Sequence, residues 1–314
     1  MKRLFLGTVV ALALGVAGGA NATSTILFDL NGSAPGGELA VDTFDWAPDN
    51  ALVENGAKPG TTTVTVRAQA SLNSFVTAGV PSVKTPAPAG TEFTFELVMT
   101  ETVTGIGTST VALTPTSGTI NIYFDPTADA NQLAGTGYSG GDSVLILTGA
   151  IVPGPGSNGT FTDLTVLAPG TFPAQSLDQF AGLGNNYPNV MSDQGSGNTN
   201  LDFHVTFADP NFFKSDITTI LIGLQDSSNN TTPFRLADAA ALVVGVAPQF
   251  TNTGSGLVNG APGSCAPTQT RCDFLIQTDA ASAFNPTAVP EPGTLALLSL
   301  GLLGAGVLGR RKMH

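Results

Sequence analysis

The stretch Thr91-Glu92-Phe93-Thr94-Phe95-Glu96-Leu97-Val98-Met99 alternates polar and apolar side chains almost without a break. Period two puts Phe93, Phe95, Leu97 and Met99 on one face and Glu92, Thr94, Glu96 and Val98 on the other, which is the pattern of a half-buried strand. The same reading extends outward in both directions. Thr61 through Ala70, Thr119-Ile120-Asn121-Ile122-Tyr123-Phe124, Phe161 to Leu167, Leu201-Asp202-Phe203-His204-Val205-Thr206-Phe207 and Ile217 to Leu224 all alternate, and all are rich in Val, Ile, Phe and Thr. Clusters such as Pro153-Gly154-Pro155-Gly156-Ser157-Asn158-Gly159 and Gly195-Ser196-Gly197-Asn198 read as the turns between them. The expected fold is all-β, an antiparallel β-sandwich or jelly-roll-like body. A candidate boundary inside it lies at 149–159, where a long exposed loop would serve equally well.

Composition agrees. Of 314 residues only 11% are charged, while 38 are Gly and 21 are Pro, which disfavours helical bundles and coiled coils. Residues 23–288 hold 6 basic and 22 acidic side chains, a net of −16, because five of the 11 basic residues sit in the two end segments. A body of that sign repels phosphate backbones, so nucleic-acid binding is excluded as a function class.

The two ends read differently from the body. MKRLFLGTVVALALGVAGGANA opens with Lys2 and Arg3, continues through an apolar run and reaches Ala20-Asn21-Ala22, a small-x-small cleavage site. Residues 1–22 are therefore expected to be a signal peptide cut after Ala22. At the other end, residues 294–309 are apolar or small and are followed at once by Arg310, Arg311 and Lys312. As a helix, 16 residues at about 1.5 Å each reach ~24 Å, a short transmembrane span. The basic residues stay cytoplasmic under the positive-inside rule, which leaves the body outside the inner membrane. Pro290 and Pro292 keep the upstream segment extended and open to a processing enzyme.

Val289-Pro290-Glu291-Pro292, the Gly-Leu-rich span and the Arg310-Arg311-Lys312 stop together resemble the PEP-CTERM sorting signal, over about 26 residues. The resemblance implies recognition by an exosortase, a membrane transpeptidase-like enzyme, with Pro290, Glu291 and Pro292 as its motif. It also implies a Gram-negative host that makes exopolysaccharide, and a protein held transiently in the inner membrane before it reaches the outer surface or matrix. A second, narrower likeness covers the first third of the mature chain. Phe28-Asp29-Leu30-Asn31-Gly32, Phe44-Asp45-Trp46-Ala47-Pro48 and Asn50-Ala51-Leu52 are similar to the start of flocculation-associated PEP-CTERM proteins, with Asp49 standing where that family usually has Gly. This likeness implies a surface or matrix component that works with exopolysaccharide in flocculation or biofilm formation, and it brings no catalytic residues.

Candidate chemistry in the body is sparse. His204 stands alone, because His314 belongs to the tail, so a His-rich zinc site has too few ligands. No G-x-S-x-G elbow supplies a nucleophile. Gly135-Thr136-Gly137-Tyr138-Ser139-Gly140 matches G-x-G-x-x-G, yet a strand-like Val144 to Leu147 follows where a dinucleotide site needs a helix. It reads as a hairpin loop. Trp46 reads as core packing rather than a sugar platform. Cys265 and Cys272, the only cysteines, are expected to pair in the oxidising exterior and close a small loop, worth ~2.5 kcal/mol. Asp125, Asp129 and Asn131 in one loop are candidate calcium ligands, as are Asp193, Asn198, Asn200 and Asp202 in another. The expectation is a non-enzymatic surface protein without an obligatory cofactor. A carbohydrate- or calcium-binding module is the alternative, and a secreted hydrolase of unrecognised type the second alternative.

Overall fold

The computed structural model describes residues 21–22, 25–33, 37–54, 60–77, 82–106, 108–131, 136–163, 167, 175–176, 191–192, 195–227, 274–284 and 287–288. The chain divides into two units. Met1–Ala22 and Thr287–His314 form one, and Thr23–Pro286 form the other.

In chain order the strands begin with β1 (Asn21–Ala22), β2 (Ile26–Asp29), β3 (Glu38–Val41), β4 (Thr43–Trp46), β5 (Asp49–Glu54) and β6 (Thr63–Thr77). Next come β7 (Val83–Thr85), β8 (Glu92–Thr104), β9 (Thr110–Asp125), β10 (Val144–Ile151) and β11 (Asn158–Asp163). The rest are β12 (Gln175–Ser176), β13 (Met191–Ser192), β14 (Gly195–Ala208), β15 (Thr219–Ser227), β16 (Phe274–Phe284) and β17 (Thr287–Ala288). Every alternating segment picked out from the sequence contributes to one of these strands. β1 and β17 pair with each other in the terminal unit.

In the larger unit the hydrogen-bonded ladder closes on itself. β6 pairs with β8, β8 with β9, and β9 with both β10 and β11. Those two pair with β14, β14 with β15, and β15 with β16. β16 pairs with β4 and β5, and both return to β6. All pairings are antiparallel. The ring has eight positions, two of them shared by a pair of short strands. Pro48 separates β4 from β5, and the Pro153–Gly156 turn separates β10 from β11, because proline has no N–H to give to a ladder.

The body is therefore a closed barrel and not the sandwich or jelly roll expected from the sequence. Alternation in and out is common to both architectures, and only the register at the closing strands separates them. The stretch 149–159 is not a gap between domains. It comprises the end of β10, a tight turn with Gly154 bridged to Ser157, and the start of β11.

Eight strands leave an interior just wide enough for side chains, and aromatic rings fill much of it. Phe28, Phe44, Phe75, Phe93, Phe95, Phe203, Phe284 and Trp46 are all buried. Phe44 meets Phe284 with ring centroids 4.8 Å apart, Phe75 at 4.9 Å and Phe28 at 5.0 Å, all edge to face. Such pairs add about 0.5–1.5 kcal/mol beyond simple burial. Trp46 lies inside as expected, and its indole Nε1 donates to Ser282 Oγ at 2.7 Å. The β2–β3 hairpin closes this aromatic end. Asp29 N donates to Phe212 O at 2.8 Å and Lys214 N to Leu27 O at 2.9 Å, which fixes Phe28 against Phe213.

Two local readings change. Gly195-Ser196-Gly197-Asn198 is not a turn but the first half of β14. Both glycines are packed tightly: a Cβ on Gly195 would collide with the Phe161 ring, and one on Gly197 with the Thr160 carbonyl oxygen. Alternation alone puts Phe207 on the core face with Leu201 and Phe203, but it is 44% exposed. Thr206 bulges out of the ladder, so Gly149 pairs with Val205 and Thr148 with Phe207. One extra residue reverses the faces beyond it.

Candidate functional site

Glu92 opens β8 and Asp125 ends β9, and the antiparallel register sets them opposite each other. Like charges in that position repel, so their surroundings are informative. Asp125 is buried; it accepts from Thr127 N through Oδ1 and from Ser143 Oγ through Oδ2, both at 2.7 Å. Glu92 Oε1 accepts from Asp129 N and Ala130 N, both at 2.8 Å. These two bonds fold the loop after β9 back over the strand ends and bring the Asp129 carboxylate in as a third member. The three carboxylates each place an oxygen within 4.8 Å of the others. Gly137 permits the loop's return: its φ is +80°, and a Cβ there would collide with the Asp129 carbonyl.

Partial burial pushes the Glu92 carboxyl up, and the charges of Asp125 and Asp129 push it the same way, against the two backbone donors that favour ionisation. Hard oxygen donors crowded in this way suit Ca²⁺ or Mg²⁺. Three carboxylates supply part of the six to eight oxygens that calcium takes, and backbone carbonyls and water would complete the shell. Two of the three ligands expected in this loop, Asp125 and Asp129, are thus brought together. Asn131 is held by a backbone pair with Thr136. Glu92 was missed, because it lies on a different strand and nothing in local spacing reveals a cross-strand register.

The same loop crosses the outside of the barrel. Tyr138 is buried; its carbonyl accepts from Thr94 Oγ1 at 2.5 Å, and its hydroxyl donates to the buried Asp49 carboxylate. Burial and the adjacent Asp49 charge raise the Tyr138 hydroxyl far above the ordinary tyrosine range. Ser139 Oγ donates to Glu96 Oε1 at 2.7 Å. The glycine-rich segment is a connection between paired strands, followed by β10 rather than by a helix, and Gly135 lies outside the described residues.

Other candidates fall elsewhere. Asn198, Asn200 and Asp202 lie two residues apart along β14 rather than in a loop, and Asp193 is outside the described residues. His204 is exposed on β14, opposite Ala150 and Thr219. Ala22 is in β1. Ala20, Cys265, Cys272, Pro290, Glu291, Pro292, Arg310, Arg311, Lys312 and the expected span 294–309 lie outside the described residues. Among the described residues no helix is long and apolar enough to cross a membrane.

A family model of the PEP-CTERM protein-sorting motif matches residues 288–312. The chain carries a PEP-CTERM sorting signal. This signal marks an exported exosortase substrate that is anchored in the membrane before processing. The match covers the proline motif, the apolar run and the basic stop, and it leaves the β body outside. Neither a curated protein nor a solved structure matches this PEP-CTERM chain.

Proposed function

We propose that the protein is a non-enzymatic component of the outer cell surface or extracellular matrix of a Gram-negative bacterium, acting with exopolysaccharide in flocculation or biofilm formation. The observation that carries this reading is the sorting signal at 288–312 attached to an exported β body. A barrel whose interior is packed with aromatic rings leaves its outer surface and loops for recognition. The likeness of residues 28–52 to flocculation-associated proteins supports the same role. Deleting the gene in its own host should reduce aggregation, and returning it should restore aggregation. Unchanged flocs together with unchanged matrix retention would overturn the reading.

A calcium-binding module is the second reading, favoured by the convergence of Glu92, Asp125 and Asp129. Calorimetry with calcium on the purified protein tests it. Binding that disappears in Asp129→Asn supports it, and absence of heat with the wild-type protein rejects it.

A further inference from the structure

Asparagine is depleted in strands, because its side chain competes for the backbone and packs poorly on a pleated surface. The outer face over β11, β14 and β15 breaks that rule repeatedly. Asn158 pairs with Asn200, and Thr160 pairs with Asn198, which in turn pairs with Gln225. Thr160, Asn198 and Gln225 are exposed. They have no side-chain hydrogen-bond partner among the described residues. Two glycines inside β14 accept the conformational cost of a strand so that Phe161 can pack beneath this surface. Local preference is overridden here with no gain in packing on the outer side. Such conflicts between local and global preference concentrate at functional sites.

The chemistry of the face narrows its occupant. β11, β14 and β15 contain no Lys or Arg. Among the described residues, Phe207 is the exposed large apolar side chain on these strands, and it lies at the far end of β14 from Asn198 and Asn200. A protein partner would want aromatic or arginine anchors at the centre of its contact, and an acidic polymer would want cations. What the central rows offer is uncharged amides and hydroxyls, and Asp202, next on the same side of β14 after Asn200, adds a carboxylate that repels an acidic polymer. The amides and hydroxyls repeat at about 4.8 Å across strands and about 6.8 Å along them, an array of donors and acceptors that a hydroxyl-rich chain can bond.

Resting on the matrix role proposed above, we propose that this face binds a strand of neutral polysaccharide, with Thr160, Asn198 and Gln225 as its central row. The full-length mature protein is titrated with exopolysaccharide purified from its host, with dextran and polygalacturonate as neutral and acidic comparators. The triple variant Asn198→Thr, Asn200→Thr, Gln225→Thr should bind about tenfold or more weakly, through lost hydrogen bonds. It should melt at or above the wild-type temperature, because Thr suits a strand better. A variant of Thr65 and Thr100, which form an outer-face pair on β6 and β8, should bind as wild type. Undiminished binding by the triple variant, or by the single exposed change Asn198→Arg, overturns the assignment of the face and leaves the matrix role standing. Preference for polygalacturonate overturns the neutral class. A wild-type protein that binds none of the three removes the matrix reading and this inference together.

Discussion

Tyr138 shows how much one side chain in a loop can carry. Its hydroxyl supplies a donor to a carboxylate that has left water, and its carbonyl receives Thr94. Tyr138→Phe keeps the ring and removes the donor. It should cost about 1–3 kcal/mol, the usual penalty at a buried polar partner, read from urea unfolding midpoints. Glu92 makes the opposite case. Its carboxyl lies above the usual value of 4.5, so the folded protein holds that proton more tightly than the unfolded chain does. Its contribution favours folding below 4.5 and is lost as pH rises through the raised folded value. Glu92→Gln keeps an acceptor for Asp129 N and Ala130 N without the charge. In metal-free buffer the variant should melt above wild type near neutral pH, and the gain should vanish below 4.5. Equal melting at both pH values would contradict the assignment. Of this site, Asp125 and Asp129 were legible because a loop gathers near neighbours. Glu92 and Asp49 were not, since each joins through a register set far away in the chain.

At the level of elements, alternation identified strands well and phase poorly. β14 carries both failures. Its glycines imitate a turn, although they are required by the Phe161 ring and the Thr160 carbonyl packed against them. Its bulge at Thr206 then turns Phe207 outward, an event with no signature in composition. Two substitutions four residues apart, in the same phase of the alternation, should accordingly behave very differently. Phe203→Ala should cost about 3–5 kcal/mol as a buried ring lost from the core, whereas Phe207→Ser should stay within about 0.5 kcal/mol. Denaturant titration of both decides the phase. β16 escaped notice for a related reason: its inward positions include Ala280 and Ser282, small residues that blunt the contrast between its faces.

For the whole molecule, closure was the property hidden from the sequence. A sandwich and a barrel ask the same of each strand, and the difference lies in β16 meeting β4 and β5, more than two hundred residues upstream. The ends were the most legible part, because targeting segments are read by composition and order rather than by packing. Sorting is proposed to run through Glu291 and the apolar run after it. Glu291→Ala, or removal of 294–314, should abolish C-terminal processing in the host. Mass spectrometry of the mature C-terminus measures this, and normal processing in both variants would argue against exosortase handling.

The last barrel strand, β16, is hydrogen-bonded along both of its edges, to β15 on one side and to β4 and β5 on the other. It is also the strand from which the sorted tail continues. Pulled along its own axis, β16 would load both ladders in shear, many bonds at once rather than one after another, which makes it a mechanically strong point of attachment.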